Sequence, residues 1–130
     1  MRFLLFPFSL IYYIFLTLRS YLYSLRIFKS TEFKIPIICF GNLSFGGTGK
    51  TPHTDFLTTL LKKNYKTAIL SRGYKRKSKG FRIVEINDTV ANAGDESLML
   101  KKNHPGTLVV VCENRRFAIN KIIERFKEID

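Results

Sequence analysis

Hydrophobic and polar positions divide the chain into a leading apolar segment, then an alternation of short apolar runs with amphipathic stretches. Between Arg2 and Arg19 stand sixteen uncharged residues, Phe3 to Leu18. As a helix rising ~1.5 Å per residue they reach ~24 Å, short of the ~30 Å of a bilayer's hydrocarbon core. On a helical wheel Tyr12, Arg19, Tyr23 and Arg26 share one face, while Leu10, Ile14, Leu18, Tyr21, Leu25 and Phe28 lie roughly opposite. This pattern suits a helix lying in a membrane interface with its cations toward headgroups. Phe15 and Leu22 interrupt the polar side, so a tilted span, a buried helix and a signal peptide remain alternatives. No small-residue cleavage site follows the apolar stretch.

Beyond Phe33 the periodicity switches between two and near four. Ile35 to Phe40 reads as a strand. A helix is predicted from Pro52 to Lys63, with Phe56, Leu57, Leu60 and Leu61 on one apolar face and a proline in the first turn, where its missing N–H costs nothing. Lys66 to Ser71 reads as a second strand. Phe81 to Ile86 alternates, as an edge strand or half of a hairpin ending at Asn87-Asp88 does. A short helix follows Gly94-Asp95-Glu96. Thr107 to Cys112 is a continuous, mostly β-branched run, expected of a buried parallel strand. Ala118, Ile122 and Phe126, flanked by Ile119 and Ile123, give a last helix from Arg115 to Glu128. The fold class expected is α/β with a mostly parallel sheet, and the division expected is a membrane-associated helix over 1–30 and an α/β unit over 31–130.

Between the first strand and the first helix of that unit stands Ser44-Phe45-Gly46-Gly47-Thr48-Gly49-Lys50-Thr51. Glycines allow backbone N–H groups to turn inward around a polyphosphate, a lysine can reach the terminal phosphates, and the following hydroxyl can hold Mg²⁺ at the helix N-terminus. The chain has Ser44 where the usual G-x-x-x-x-G-K-[ST] pattern has glycine, although Gly46 and Gly47 supply permissive backbone nearby. The alternative is a glycine-rich turn that binds nothing; its place between strand and helix favours a nucleotide-binding P-loop. An incomplete P-loop nucleoside triphosphate hydrolase-like fold, preceded by a membrane-interface helix, is the resulting expectation, with ATP and Mg²⁺ as ligands.

Charge narrows the choice of partner. Twenty-two Lys and Arg against ten Asp and Glu leave a net charge of +12 over 130 residues, which favours an anionic partner. Arg72, Lys75, Arg76, Lys77 and Lys79 cluster around Gly73-Tyr74. Stacking aromatics are sparse there and no helix-turn-helix, zinc or RNA-binding pattern accompanies them, so nucleic acid is not expected. An anionic lipid or lipid phosphate fits better beside the leading apolar segment. Cys39 and Cys112 sit in apolar strand-like runs without metal-ligand spacing, which predicts two small buried hydrophobes in a reducing compartment.

Asp95-Glu96 is the acidic pair most open to chemistry. As a helix cap, Asp95 would be the N-cap and Glu96 would lie in the first turn. As functional groups, Asp95 would take a proton from an acceptor hydroxyl, or either carboxylate would hold a metal near ATP. Arg72, at the C-terminal end of the second strand, faces the side of an open sheet where ligands bind and could hold a phosphate; a surface turn is the alternative. His53 and His104 read as structural or solvent-exposed, neither belonging to a constellation of carboxylate and nucleophile. Glu113, after Cys112, is the one acid that follows an apolar strand. A P-loop domain needs a further strand to deliver an acid to its metal, so truncation is expected.

The order of these motifs resembles the tetraacyldisaccharide 4'-kinases of lipid A biosynthesis. The matching residues are the aromatic N-terminus, Gly41-Asn42-Leu43 running into the loop that ends Lys50-Thr51-Pro52, then Leu70-Ser71-Arg72-Gly73-Tyr74, then Gly94-Asp95-Glu96. The resemblance implies transfer of the γ-phosphate of ATP to the 4'-hydroxyl of an acylated disaccharide lipid at the cytoplasmic face of the bacterial inner membrane. It implies that Lys50 binds phosphates, Thr51 holds Mg²⁺, Asp95 is the base and Glu96 supports the metal. The family's later Asp-Asp pair and supporting histidine have no counterpart in these residues. A membrane-associated P-loop ATPase switch is a second expectation, although Phe45 stands where that class has lysine; an inactive remnant is a third.

Overall fold

The computed structural model describes residues 6–28, 30–42 and 48–130, which fall into two compact units, 1–33 and 34–130. The first unit holds helix α1, Phe6–Ser24, with no buried residue. Its end is a left-handed reversal. Arg26 adopts φ 58°, and the N–H groups of Arg26 and Ile27 donate to the carbonyls of Tyr23 and Leu22 at 3.0 and 3.1 Å, the bond pair that closes a helix at a position usually held by glycine. Arg26 therefore leaves the helical face that the wheel assigned to it, because the helix stops two residues earlier. On the helix itself Arg19 lies over the Tyr23 ring, 5.9 Å from its centroid. Among the described residues no helix is long and apolar enough to cross a membrane.

The second unit contains α2 (Lys50–Leu61), β1 (Ala68–Ser71), β2 (Arg82–Ile83), α3 (Val90–Ala93), α4 (Asp95–Asn103), β3 (Leu108–Val111) and α5 (Arg115–Arg125). The sheet has the order β1-β3-β2. β1 and β3 are parallel with Ser71 opposite Val111, whereas β2 runs antiparallel to β3 with Arg82 opposite Val111. The sheet is thus mixed, not mostly parallel. β2 is an edge strand that reaches β3 from the other side, and Asp88 turns the chain after it. The Asp88 carboxylate accepts from the Glu85 N–H at 2.9 Å and pairs with Arg82.

β3 is the centre of the core. Val109, Val110 and Val111 are wholly buried and Cys112 nearly so, as its run of β-branched residues predicts. Val109 and Val111 share a cluster with Ile69, Val84, Ala93, Leu98 and Leu100; strand alternation turns Val110 to the opposite face. On α5, Ala118 and Ile122 are the buried positions, and Asn114 caps the helix by accepting from the Phe117 N–H at 3.1 Å. After α5 the chain returns to β1, where the Asp130 N–H donates to the Lys66 carbonyl and the Asp130 carboxylate accepts from the Lys66 N–H.

Three further expectations fail. Residues 35–40 form no strand, and Ile37, Ile38, Cys39 and Phe40 are exposed. A strand exists only through a neighbour's hydrogen bonds, and no described segment pairs with this one. Cys39 is consequently exposed and only Cys112 is buried. The apolar face of α2 is also incompletely covered: Leu57 and Leu61 are half-buried, but Phe56 and Leu60 lie open.

α2 is joined to α4 by a polar network. Buried His104 meets the Asp55 carboxylate through Nε2 at 2.9 Å and the Lys62 ammonium through Nδ1 at 3.1 Å, while the Asn103 amide donates to Asp55 at 2.9 Å. A lysine can only donate, so Nδ1 accepts and Nε2 carries the proton that goes to Asp55. Asn103 first, then His104 and Lys62, hold the Asp55 carboxyl below the usual carboxylate range against the opposing effect of burial. A carboxylate with a depressed folded-state pKa contributes stability above its unfolded value, which is lost as pH falls through the folded one. Asp55→Asn is expected to lower the urea midpoint at neutral pH and to flatten the loss of stability below about pH 4. Identical acid limbs in the two proteins would show that Asp55 contributes nothing there.

Candidate phosphate-binding and acceptor site

The glycine-lysine-threonine motif ends at the start of α2. Gly49 has φ 75° and ψ 20°, the left-handed conformation that glycine adopts freely, and Lys50 and Thr51 open the helix. Its first N–H groups lack partners within the helix and carry its positive dipole end. Pro52 sits in this turn, two residues after the helix begins. Two contacts define the approach. Thr48 Oγ1 donates to Asn42 Oδ1, tying the flanks of the loop together. The Gly49 carbonyl receives both the His53 N–H at 3.1 Å and a contact from His53 Nδ1 at 2.6 Å. His53 is therefore structural, its ring tilted against Phe40. Ser44, Phe45, Gly46 and Gly47 lie outside the described residues.

A cavity of about 210 Å³ is lined by Thr48, Gly49, Lys50, Thr51, Pro52 and Glu96. Two stretches separated by more than forty residues thus meet: the end of the glycine-rich loop and the first turn of α4. Lys50 is partly buried, and neither its ammonium nor the Thr51 hydroxyl has a partner among the described residues. Asp95 precedes Glu96 in the same turn. The N-cap of α4 is Gly94, with no side-chain capping bond. Asp95 is therefore not the cap that its place in sequence suggested, and it is an exposed carboxylate beside the cavity's own acid.

Polar donors of this kind fit a polyphosphate. A divalent cation also fits: Mg²⁺ takes one or two protein oxygens and completes its shell with phosphate and water. The Thr51 hydroxyl and the Glu96 carboxylate are the oxygens at hand. Among the described residues no cluster of three or more His, Cys, Asp and Glu side chains forms a closed metal cage.

Backbone packing places the start of α4. Gly94 has φ 84° and ψ 150°, and a Cβ built there would meet the Tyr74 carbonyl oxygen at 3.1 Å and the Gly73 backbone at 3.2 Å. Only glycine allows that approach. One turn on, buried Ser97 shares a 2.6 Å hydrogen bond with Ser71 Oγ, which also accepts from the Gly73 N–H at 3.1 Å. The Ser71-Arg72-Gly73-Tyr74 and Gly94-Asp95-Glu96 segments, read separately in the sequence, are thus one assembly. Arg72 and Tyr74 are exposed on it. Of the other basic residues in the cluster, Arg76 is not a surface charge: its side chain is 2% exposed and pairs with Glu113 at 2.5 Å. Glu113, with one oxygen on Arg76 and the other on the Gly80 N–H at 3.0 Å, is committed to the protein and not to a metal.

Sequence reasoning missed the Ser71–Ser97 bond, the carboxylate beside His104 and the Arg76–Glu113 pair. All three join residues at least 26 positions apart, and no local pattern carries them.

The family model described as tetraacyldisaccharide-1-P 4'-kinase matches residues 1–130. The chain belongs to that family. Among similar proteins, the tetraacyldisaccharide 4'-kinase of Parabacteroides distasonis is 42% identical over 120 residues, covering 92% of this chain and 32% of that protein. The enzyme of the same name from Flavobacterium johnsoniae is 42% identical over 125 residues, covering 96% and 37%. A crystal structure of LpxK from Aquifex aeolicus in complex with ATP superposes with a TM-score of 0.76 at 38% identity, over 95% of this chain and 40% of that one. The chain spans about a third of the length of these two named relatives.

Gly94→Ala is expected to cost about 1–3 kcal/mol, the scale for a non-glycine residue forced into such a conformation. Urea denaturation measures it; an unchanged midpoint would mean that the α4 start can move away from Gly73.

Proposed function

We propose that this chain carries the ATP site and part of the acceptor site of a kinase that transfers the γ-phosphoryl group of ATP to the 4'-hydroxyl of a tetraacyldisaccharide 1-phosphate. The observation that carries the reading is the cavity in which Lys50 and Thr51 meet Glu96, with Asp95 next to it. Family membership and the ATP complex of the Aquifex aeolicus relative support it.

Lys50 binds the terminal phosphates and spreads the charge that builds on the transferring group. By their place in the motif, Ser44, Phe45, Gly46, Gly47, Thr48 and Gly49 would offer backbone N–H groups to the phosphates. Thr51 and Glu96 would hold Mg²⁺, which when bound would neutralise phosphate charge. Asp95 accepts the proton of the 4'-hydroxyl as that oxygen bonds to the γ-phosphorus and the bond to the leaving ADP breaks. Arg72, exposed at the end of β1, meets the phosphate of the acceptor. Because the acceptor is a lipid, the aromatic α1, with its one cation Arg19, rests in the interface of the cytoplasmic face of the inner membrane. Its exposed apolar side chains along the full helix support this placement.

In the protein that carries this chain, Lys50→Ala is expected to lower transfer to the lipid acceptor at least about 100-fold. Asp95→Asn should reduce kcat by ~10²–10⁴-fold while ATP affinity changes only a few-fold. Near-normal turnover in Asp95→Asn would remove the base from this mechanism. ATP hydrolysis stimulated by lipid, with no phosphorylated acceptor formed, would identify a switch-type ATPase instead.

Deletion of residues 1–28 is expected to weaken binding to anionic vesicles. A shortened protein that still sediments fully with them would place the membrane contact elsewhere.

A further inference from the structure

The segment between β1 and β2 is held by a closed ring of three residues. Arg76 Nη2 donates to Glu113 Oε1 at 2.5 Å and to the Gly80 carbonyl at 2.7 Å, and the Gly80 N–H donates to Glu113 Oε2 at 3.0 Å. Nη1 reaches the Val111 carbonyl at 3.4 Å. The guanidinium is enclosed while the carboxylate is half exposed, at 2% and 49%. Hydrogen bonds from its own N–H and from Arg76 keep the Glu113 carboxyl below the usual range, so it stays charged through neutral pH.

The shape of the segment is adapted to this pair. A Cβ on Gly73 would lie 2.4 Å from Arg76 Cδ, so glycine at 73 makes room for the arginine stem. Lys75, immediately before it, takes φ 60°, a conformation disfavoured for any residue with a side chain. The far side is tied to α3: the Lys77 N–H donates to the Ala91 carbonyl at 2.7 Å, and Ser78 Oγ to the Asn92 carbonyl at 2.5 Å. Arg72, Tyr74 and Lys75 are left exposed, and the Tyr74 carbonyl lies against Gly94, the residue before Asp95.

We infer that the Arg76–Glu113 ion pair positions the acceptor-binding surface, presenting Arg72 and Tyr74 at a fixed place beside Asp95, and that neither member touches substrate. This rests on the kinase reading above. The pair anchors 73–80 to the end of β3, the central and most buried strand, and so refers the acceptor side of the site to the same rigid element that α4 packs against. An enclosed guanidinium without its carboxylate is an uncompensated charge, so losing Glu113 shifts the loop and leaves α2 and its lysine in place.

The test is steady-state kinetics in the protein that carries this chain, with ATP and tetraacyldisaccharide 1-phosphate in mixed micelles, on Glu113→Ala, Glu113→Gln and Arg72→Ala. Hydrogen exchange of 73–80 is followed in parallel. The expected result is an acceptor KM raised about tenfold in Glu113→Ala, an ATP KM within about twofold, and faster exchange confined to 73–80. Glu113→Gln should lie between, because its amide oxygen still accepts from Arg76 while its NH₂ offers nothing to the Gly80 N–H. Unchanged acceptor KM in both Glu113 variants, with Arg72→Ala raising it, overturns the positioning role and leaves the kinase reading intact. Both KM values and kcat worsening together overturns it as well, since that is general loss of structure. A Glu113 effect without an Arg72 effect keeps the positioning role and removes only Arg72 from the acceptor. No transfer by the unaltered protein overturns both readings.

Discussion

The parallel ladder between β1 and β3 is the constraint from which the site follows. With Ser71 opposite Val111, both strands end at the same edge, and the segments that leave them start side by side. Ser71-Arg72-Gly73-Tyr74 departs from one and Cys112-Glu113-Asn114 from the other. The ladder is held by residues that cannot be exposed without large loss: Val109 to Val111 have no contact with solvent, and fully burying such side chains is worth about 1.5–3 kcal/mol each. A strand this buried is a reference frame. What hangs from its C-terminal end inherits its rigidity, which is why ligand sites in open α/β sheets gather there.

Around that frame the polar contacts divide into two sets. Asp55, His104, Lys62 and Asn103 link the flanks of α2 and α4, and Lys101 steadies the turn after α4 by donating to the Pro105 and Thr107 carbonyls at 2.8 and 3.0 Å. Ser71, Ser97 and the close approach of Gly73 to Gly94 hold the opposite end of α4. One helix is thus fastened at both ends. Its acidic first turn and basic last turn, Asp95-Glu96 and Lys101-Lys102, also oppose the helix dipole at each terminus. Carboxylates at the N-terminal end are therefore favourable in the folded state even before a ligand arrives.

Much of this was legible in the sequence where local rules govern. The valine-rich run of β3, the edge character of β2, the helices after the glycine motif and after Gly94, and the family itself all followed from periodicity and motif order. The direction of β2 and the state of 35–40 did not, because both depend on which segment lies alongside, and strand pairing is not encoded locally. Lys50, Thr51 and Glu96 were identified one by one, yet their meeting in one cavity is a tertiary fact. The caps show the same limit: Asp95 has the composition of a capping residue, but the backbone contact at Gly94 moves the cap one position earlier. Arg76 looked like one member of a basic patch until its enclosure by Glu113 and Gly80 separated it from its neighbours.

The two cysteines end up as opposites. Cys112 is sealed in the sheet, its N–H donating to the Ser71 carbonyl at 3.0 Å, whereas Cys39 stands in the unpaired stretch that leads to the phosphate loop. A thiol reagent reaches the first only when the β1–β3 ladder opens, and the second at any time. The protein therefore carries a paired internal clock: the rate at Cys112 reports how often the central sheet comes apart, and the rate at Cys39 reports whether anything has come to lie along residues 35–40.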